Sequence, residues 1–279
     1  IPVVTTILLA FTGMGPDTQA KFGWEALENY KMIFLGQGMV GAIFWRILGW
    51  TVIWTIGATT LAIALGFILA IVLNNDRIKG KVLFRSIYLL PWAVPAFISI
   101  LFFSILFADG GTVVNSLRNV FGPNFSIKND TFTIRLTLIC IQAWLGSAYI
   151  FLLSTGVLQS INAELYEAAD IDGATSFKKL TKITVPLVLF QTAPLLVGQY
   201  TFNFNNFSII ALFNNGGPFD PSKYGNLAGS SDLLISYIYK LTMNSQYQAV
   251  GATITVIISI ALIIIAYIGY KNTDAFKRG

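Results

Sequence analysis

Histidine is absent from this sequence, cysteine occurs once, and charged side chains make up only 11% of its 279 residues. Without histidine there is no imidazole to act as a base near neutral pH or to ligate a metal. The single Cys140 excludes a disulfide or a thiolate cluster within the chain. Because it falls inside a long apolar run, a buried, inert thiol is expected. A soluble domain usually carries about 25% charged residues, so a chain this poor in charge cannot cover a water-facing surface. The phosphate-gripping pattern GxxxxGK[ST] is also missing, which excludes ATP binding through such a loop. A GxGxxG match at Gly36-Gln37-Gly38-Met39-Val40-Gly41 is a decoy. A dinucleotide fold needs a carboxylate about 20 residues later, and the next acid here is Asp76.

What the chain has instead is apolar length, with 55% hydrophobic residues and a mean hydropathy of +0.69. Five runs, at about 47–73, 83–107, 132–159, 185–213 and 247–270, are each long enough to cross a hydrocarbon core of roughly 30 Å as helices. They predict an all-α integral membrane protein. Residues 1–12 form a shorter apolar stretch without an initiator methionine. They are expected to be the outer end of a first span that begins upstream, which brings the expected total to about six transmembrane helices.

Basic residues set the expected orientation. Arg77, Lys79, Lys81 and Arg85 cluster in one short connection, Lys178, Lys179 and Lys182 in another, and Lys271, Lys277 and Arg278 follow the last span. Lys21, Lys31, Arg46, Arg118, Lys128, Arg135, Lys223 and Lys240 are spread over much longer segments on the other side. The denser side is expected to be cytoplasmic. Residues 13–46 then form an extracytoplasmic loop, 47–270 the transmembrane core, and 271–279 a cytoplasmic tail. These flanks account for the net charge of +5, and nothing points to nucleic acid.

The connection at 160–186 reads SINAELYEAADIDGATSFKKLTKITVP. It begins as an amphipathic helix carrying Glu167, Ala168 and Ala169, and Gly173 can close that helix in a left-handed turn. A second short helix is expected to stop before Pro186. Small alanines let another protein's backbone approach closely, and the flanking charges fix register. The spacing of Glu167, Ala168, Ala169, Gly173, Ile183 and Pro186 resembles the EAA coupling loop of ABC importer permeases, with Val185 where that family usually has Leu. The resemblance implies a type I ABC importer permease fold.

Two spans carry polar groups where lipid would penalise them. Gln142, Leu145, Gly146 and Tyr149 share one helical face, and so do Gln199, Phe202, Asn203 and Asn206. Facing each other, the two stripes would line a mid-membrane cavity. Amides both donate and accept, which matches sugar hydroxyls, and Phe202 and Tyr149 can lie against a pyranose ring. The same amides could instead hydrogen-bond between helices. No Asp or Glu lies deep in a span, which argues against a proton-coupled carrier and for an uncharged cargo.

The run Phe202-Asn203-Phe204-Asn205-Asn206-Phe207, the turn Asn215-Gly216-Gly217-Pro218 and the segment Leu90-Pro91-Trp92-Ala93-Val94-Pro95 make the chain similar to the larger membrane subunit of maltose/maltodextrin importers. In that family the sugar sits on residues matching Gly146, Tyr149, Phe202, Asn203 and Asn206, with Gln142, Leu145 and Gln199 close by. The resemblance implies a second permease subunit, two ATP-binding subunits holding ATP and Mg, and an extracytoplasmic sugar-binding protein. It implies no cofactor in this chain. The alternatives are a carrier or channel working without ATPases, and the same importer type with another polyol as cargo.

Overall fold

The structure is a computed structural model that describes residues 2–13, 27–75, 78–245 and 247–271. Lys21, Asp76, Arg77, Lys277 and Arg278, named above, lie outside the described residues. The described residues form helices and no β-strand. In order these are α1 (Pro2–Leu9), α2 (Glu28–Phe34), α3 (Gly38–Asn74), α4 (Lys81–Ala93), α5 (Ala96–Leu106), α6 (Thr112–Phe121), α7 (Thr131–Ser160), α8 (Ala163–Ile171), α9 (Ser176–Lys179), α10 (Val185–Phe204), α11 (Phe207–Phe213), α12 (Pro221–Tyr224), α13 (Leu234–Tyr239) and α14 (Gln248–Lys271). Among the described residues, four stretches are long and apolar enough to cross a membrane: Gly38–Asn74, Thr131–Ser160, Ser176–Phe213 and Gln248–Gly269. The pair α4–α5 makes a fifth, broken by a bend of 91°. The cause is legible. Pro95 holds Val94 extended at φ −84°, ψ 133°, so the helix cannot continue past Ala93.

The GxGxxG match is a helix–helix turn. Gly36 and Gly38 take left-handed φ values of 63° and 64° to reverse the chain between α2 and α3. A Cβ at Gly41 would lie 2.4 Å from the Met32 carbonyl oxygen, so that position admits glycine alone.

The chain divides into two compact units. One comprises Ile1–Ile56, Phe97–Ile139 and Thr201–Ile265; the other comprises Gly57–Ala96, Cys140–Tyr200 and Ala266–Gly279. In the first, Ile33, Phe44, Ile47, Leu234, Tyr237, Leu241 and Ile254 form the core. Tyr237 is fully buried there and its hydroxyl donates to the Val40 carbonyl at 3.3 Å. Tyr239, two residues further along α13, is on the surface. In the second unit, Ala70, Phe151, Leu158 and Val188 form the core. Cys140 is exposed, contrary to the buried thiol expected, because it falls on the outward stripe of α7 that begins with Phe132 and Leu136.

Close packing in the second unit depends on Gly66 of α3. A Cβ there would lie 2.4 Å from the Ser147 carbonyl oxygen and 2.8 Å from the Phe151 nitrogen of α7. Backbone cannot yield as a flexible side chain can, so Gly66→Ala should cost about 1–3 kcal/mol by overpacking. Gly66→Leu should abolish accumulation of folded protein. Gly156, with open space around it, is the control: thermal unfolding in detergent should show Gly156→Ala unchanged or slightly stabilised.

Candidate functional site

The polar connection after α7 is a built hairpin. Asn162 caps α8, accepting from the Glu164 amide at 3.1 Å. At the other end Gly173 takes φ 69°, as expected. The Ala174 amide then donates to the Ala169 carbonyl at 2.9 Å and the Gly173 amide to the Asp170 carbonyl at 3.0 Å. This pair of bonds is the Schellman closure, which satisfies two carbonyls the helix end would leave open. Thr175 caps α9. Lys179 pairs with Asp170 at 2.7 Å, and the Tyr166 and Thr184 hydroxyls meet at 2.9 Å, clamping the two arms.

The second arm does not stop before Pro186. Leu180–Thr184 forms a π-helical turn that feeds directly into α10. The physical reason is Pro186 itself. It has no amide to donate and its ring would strike the Lys182 carbonyl in a regular α-helix, and a wider turn relieves both constraints. Glu167, Ala168, Gly173 and Pro186 are exposed, and Ala169 and Ile183 are half-buried. Beside them Ile171 is 88% exposed and Phe177 75% exposed. These two apolar side chains were not singled out from the sequence. Their signal was an Ile and a Phe on a segment otherwise built to face water.

The amide stripes are placed as follows. Gln142 on α7 is buried, while Leu145, Gly146, Tyr149 and, on α10, Gln199 are half-buried. All five belong to the second unit. Gly146 has the Ala62 methyl 3.4 Å from where its Cβ would be. Next to Gln199, the Tyr200 hydroxyl lies 2.9 Å from the Thr60 hydroxyl, a polar pair the sequence reading passed over.

Phe202, Asn203 and Asn206 belong to the first unit. They do not lie on one continuous helical face, as their spacing suggested. α10 ends at Phe204, and Asn206 caps α11, its side chain accepting from the Ile209 amide at 3.5 Å. Local amide bonding competes with the helix here, since the Asn205 side chain donates to the Thr201 carbonyl at 3.2 Å. The break leaves the Asn203 carbonyl to accept from the Trp54 indole at 2.9 Å. Asn203 is buried and Phe202 is 59% exposed.

The segment after α11 holds what sequence reasoning missed altogether. Asp232 is fully buried; its Oδ2 accepts from the Lys240 ammonium at 2.6 Å and the Gly229 amide at 2.7 Å. Its Oδ1 accepts from the Ser236 hydroxyl at 2.8 Å, and Lys240 also donates to the Asn215 carbonyl at 2.6 Å. Burial pushes the Asp232 carboxyl above the usual carboxylate range, and the Lys240 charge pulls it back. Gly216, at φ 81°, leaves the space: a Cβ there would sit 2.1 Å from Asp232 Oδ1. Two span residues tie the segment down. The Trp50 indole donates to the Ser231 carbonyl at 3.2 Å, and Arg135, stacked on Trp50 at 4.5 Å, donates to the Ser230 carbonyl at 2.6 Å. Lys240, expected among the solvated outer charges, is therefore an internal cation.

Long apolar helices, a broken span and a self-clamped polar hairpin define a polytopic helical membrane protein of the transport-permease class. The chain belongs to the family of binding-protein-dependent transport system inner membrane components, whose profile matches residues 62–278. It is 48% identical over 288 residues to the maltodextrin transport system permease protein MdxF of Bacillus subtilis (strain 168), covering 99% of this chain and 65% of that protein. It is 44% identical to the galactooligosaccharides transport system permease protein GanP of the same organism, covering 99% of this chain and 66% of that one. The chain thus spans slightly less than two thirds of the length of these relatives. Its fold matches a chain from the crystal structure of a bacterial ABC transporter involved in import of the acidic polysaccharide alginate. The TM-score is 0.77 at 20% identity, over 96% of this chain and 86% of that one.

Proposed function

We propose that this chain is a membrane-spanning permease subunit of an ABC importer that carries a neutral, maltodextrin-like oligosaccharide inward by ATP-driven alternating access. The reading is carried by one observation, the clamped hairpin, which holds Glu167, Ala168 and Ala169 ahead of the left-handed Gly173 turn. In this reading the hairpin docks on a separate ATP-binding subunit, which holds ATP and Mg and performs hydrolysis. The 160–186 connection and the 271–279 tail are cytoplasmic, and the 13–46 and 214–246 segments are extracytoplasmic. The full assembly contains a second permease, two ATPase subunits and a sugar-binding protein.

For the cargo, we assign Gln142, Leu145, Gly146, Tyr149, Gln199, Phe202, Asn203 and Asn206 to sugar binding. Asn and Gln supply paired donors and acceptors, and the exposed Phe202 ring supplies a stacking face. Similarity to both a maltodextrin and a galactooligosaccharide permease supports a neutral oligosaccharide as the class. The deciding measurement is the ATPase rate of the purified complex in lipid vesicles, with and without its binding protein and maltodextrin. Stimulation by the loaded binding protein supports the whole reading. Hydrolysis indifferent to maltodextrin replaces the sugar, and an intact complex without ATPase activity removes the importer.

A second test isolates the sugar contact assigned to Asn203. Asn203→Ala should reduce sugar uptake about tenfold, the loss of one well-made polar contact, without reducing assembly. Unchanged uptake would return Asn203 to a helix-packing role.

A further inference from the structure

Helix α6 has two chemically separate faces. Val113, Val114, Leu117, Val120 and Phe121 lie on one, and Thr112, Asn115, Ser116, Arg118 and Asn119 on the other. The apolar face is covered only at its start. Val114 is fully buried, whereas Val120 is 75% and Phe121 65% exposed. Two adjacent large apolar side chains left open at one end of a short amphipathic helix need a non-aqueous neighbour.

The height of this helix relative to the spans is fixed by its own bonds. Arg118 pairs with Asp109, three residues past the end of α5, at 3.3 Å and donates to the Phe125 carbonyl at 2.9 Å. Asn129 donates to the same Asp109 carboxylate at 2.7 Å. Lys128 reaches the Ser104 hydroxyl in the last turn of α5 at 2.8 Å and the Phe213 carbonyl at the end of α11 at 3.1 Å. Residues 107–130 are therefore held against the rim where α5 and α11 end and α7 begins. At that rim the outward faces of the spans are themselves apolar: Ile105 is 74% and Phe132 73% exposed.

We propose that the C-terminal half of α6 lies in the membrane interface, with Val120 and Phe121 inserted among lipid acyl chains and Asn115, Ser116 and Asn119 toward water. The occupant of the open apolar face is lipid because the helix is tied to a rim at which Ile105 and Phe132 of the membrane-spanning helices are themselves exposed. An interfacial helix of this kind buries its apolar side about 5–10 Å into the headgroup boundary. It would brace the rim that carries Lys128 and Asp109. The inference depends on the membrane setting and not on the cargo.

The test uses the full-length protein with its co-purifying subunits in phosphatidylethanolamine–phosphatidylglycerol vesicles. In a Cys140→Ser background, nitroxide labels are placed on Val120→Cys and Asn119→Cys, which lie at the same depth along the helix but on different faces. Collision with oxygen, which partitions into lipid, is compared with collision with a water-soluble nickel chelate. The oxygen-to-nickel ratio should be several-fold higher at 120 than at 119, as expected for a buried and a solvated face of one interfacial helix. Equal ratios, with nickel reaching 120 freely, would overturn the proposal in favour of a water-exposed helix. Exclusion of both reagents from 120 would overturn it in favour of a protein partner. If Val120→Cys fails to accumulate, Phe121→Cys gives the same reading.

Discussion

Replacing Gly173 by Asp is expected to leave the protein in the membrane at near-normal level while uncoupling ATP hydrolysis from transport. The fold has little reason to object. Gly173 sits at φ 69° with open space around its Cβ position. Asp tolerates the left-handed region better than most residues, at a cost of about 1–2 kcal/mol. The surface has strong reason to object. A third carboxylate would join Asp170 and Asp172 on an exposed turn, next to the exposed Ile171 and Phe177 side chains. If this turn docks on an ATP-binding subunit as proposed, an unpaired charge at its centre costs on the order of 2 kcal/mol or more, so uptake should fall at least about tenfold. Gly173→Asn separates shape from charge, since Asn accepts the same backbone and adds no charge. It should retain most uptake. Normal uptake by the Asp variant would sink the coupling assignment, and equal damage by Asn would shift the cause from charge to shape.

The sequence was most readable where one residue type dictates backbone geometry. Gly173 announced a left-handed helix end, and the apolar runs announced the spans. Such signals are local, and a local rule suffices to read them. Periodicity was less reliable where side chains compete with the helix that defines the period. Asn203 and Asn206 fit one helical face on paper, but the asparagines draw local hydrogen bonds and α10 ends between them. The π-helical entry into α10 likewise follows from Pro186, although proline was expected to end the preceding helix rather than widen it. Nothing local identified Asp232 and Lys240 as partners. Their bond depends on a glycine turn sixteen residues upstream of the acid and on Trp50 and Arg135 from distant spans. Candidate site residues were thus named by type and spacing, while the support beneath them required the fold.

Asp232→Asn should be the most destabilising single change in the segment after α11. It removes the counter-charge from Lys240, whose side chain is only 10% exposed, and leaves the ammonium with the Asn215 carbonyl. Breaking a buried pair in this way typically costs about 3–5 kcal/mol, because the surviving charge is left uncompensated. Lys240→Met should cost a similar amount for the opposite reason, stranding a carboxylate that burial already disfavours. The double variant Asp232→Asn with Lys240→Met leaves no charge inside, so it should recover a substantial part of the loss. Thermal unfolding of the four proteins in detergent closes the cycle. A coupling energy above about 1 kcal/mol identifies the pair as the fastener of this segment, while singles that unfold like the parent would show that Trp50 and Arg135 hold it unaided. Uptake then distinguishes fastening from function. If the segment receives the sugar-binding protein, the double variant should regain stability yet need more binding protein for half-maximal uptake, because its surface is set by the charged knot beneath it.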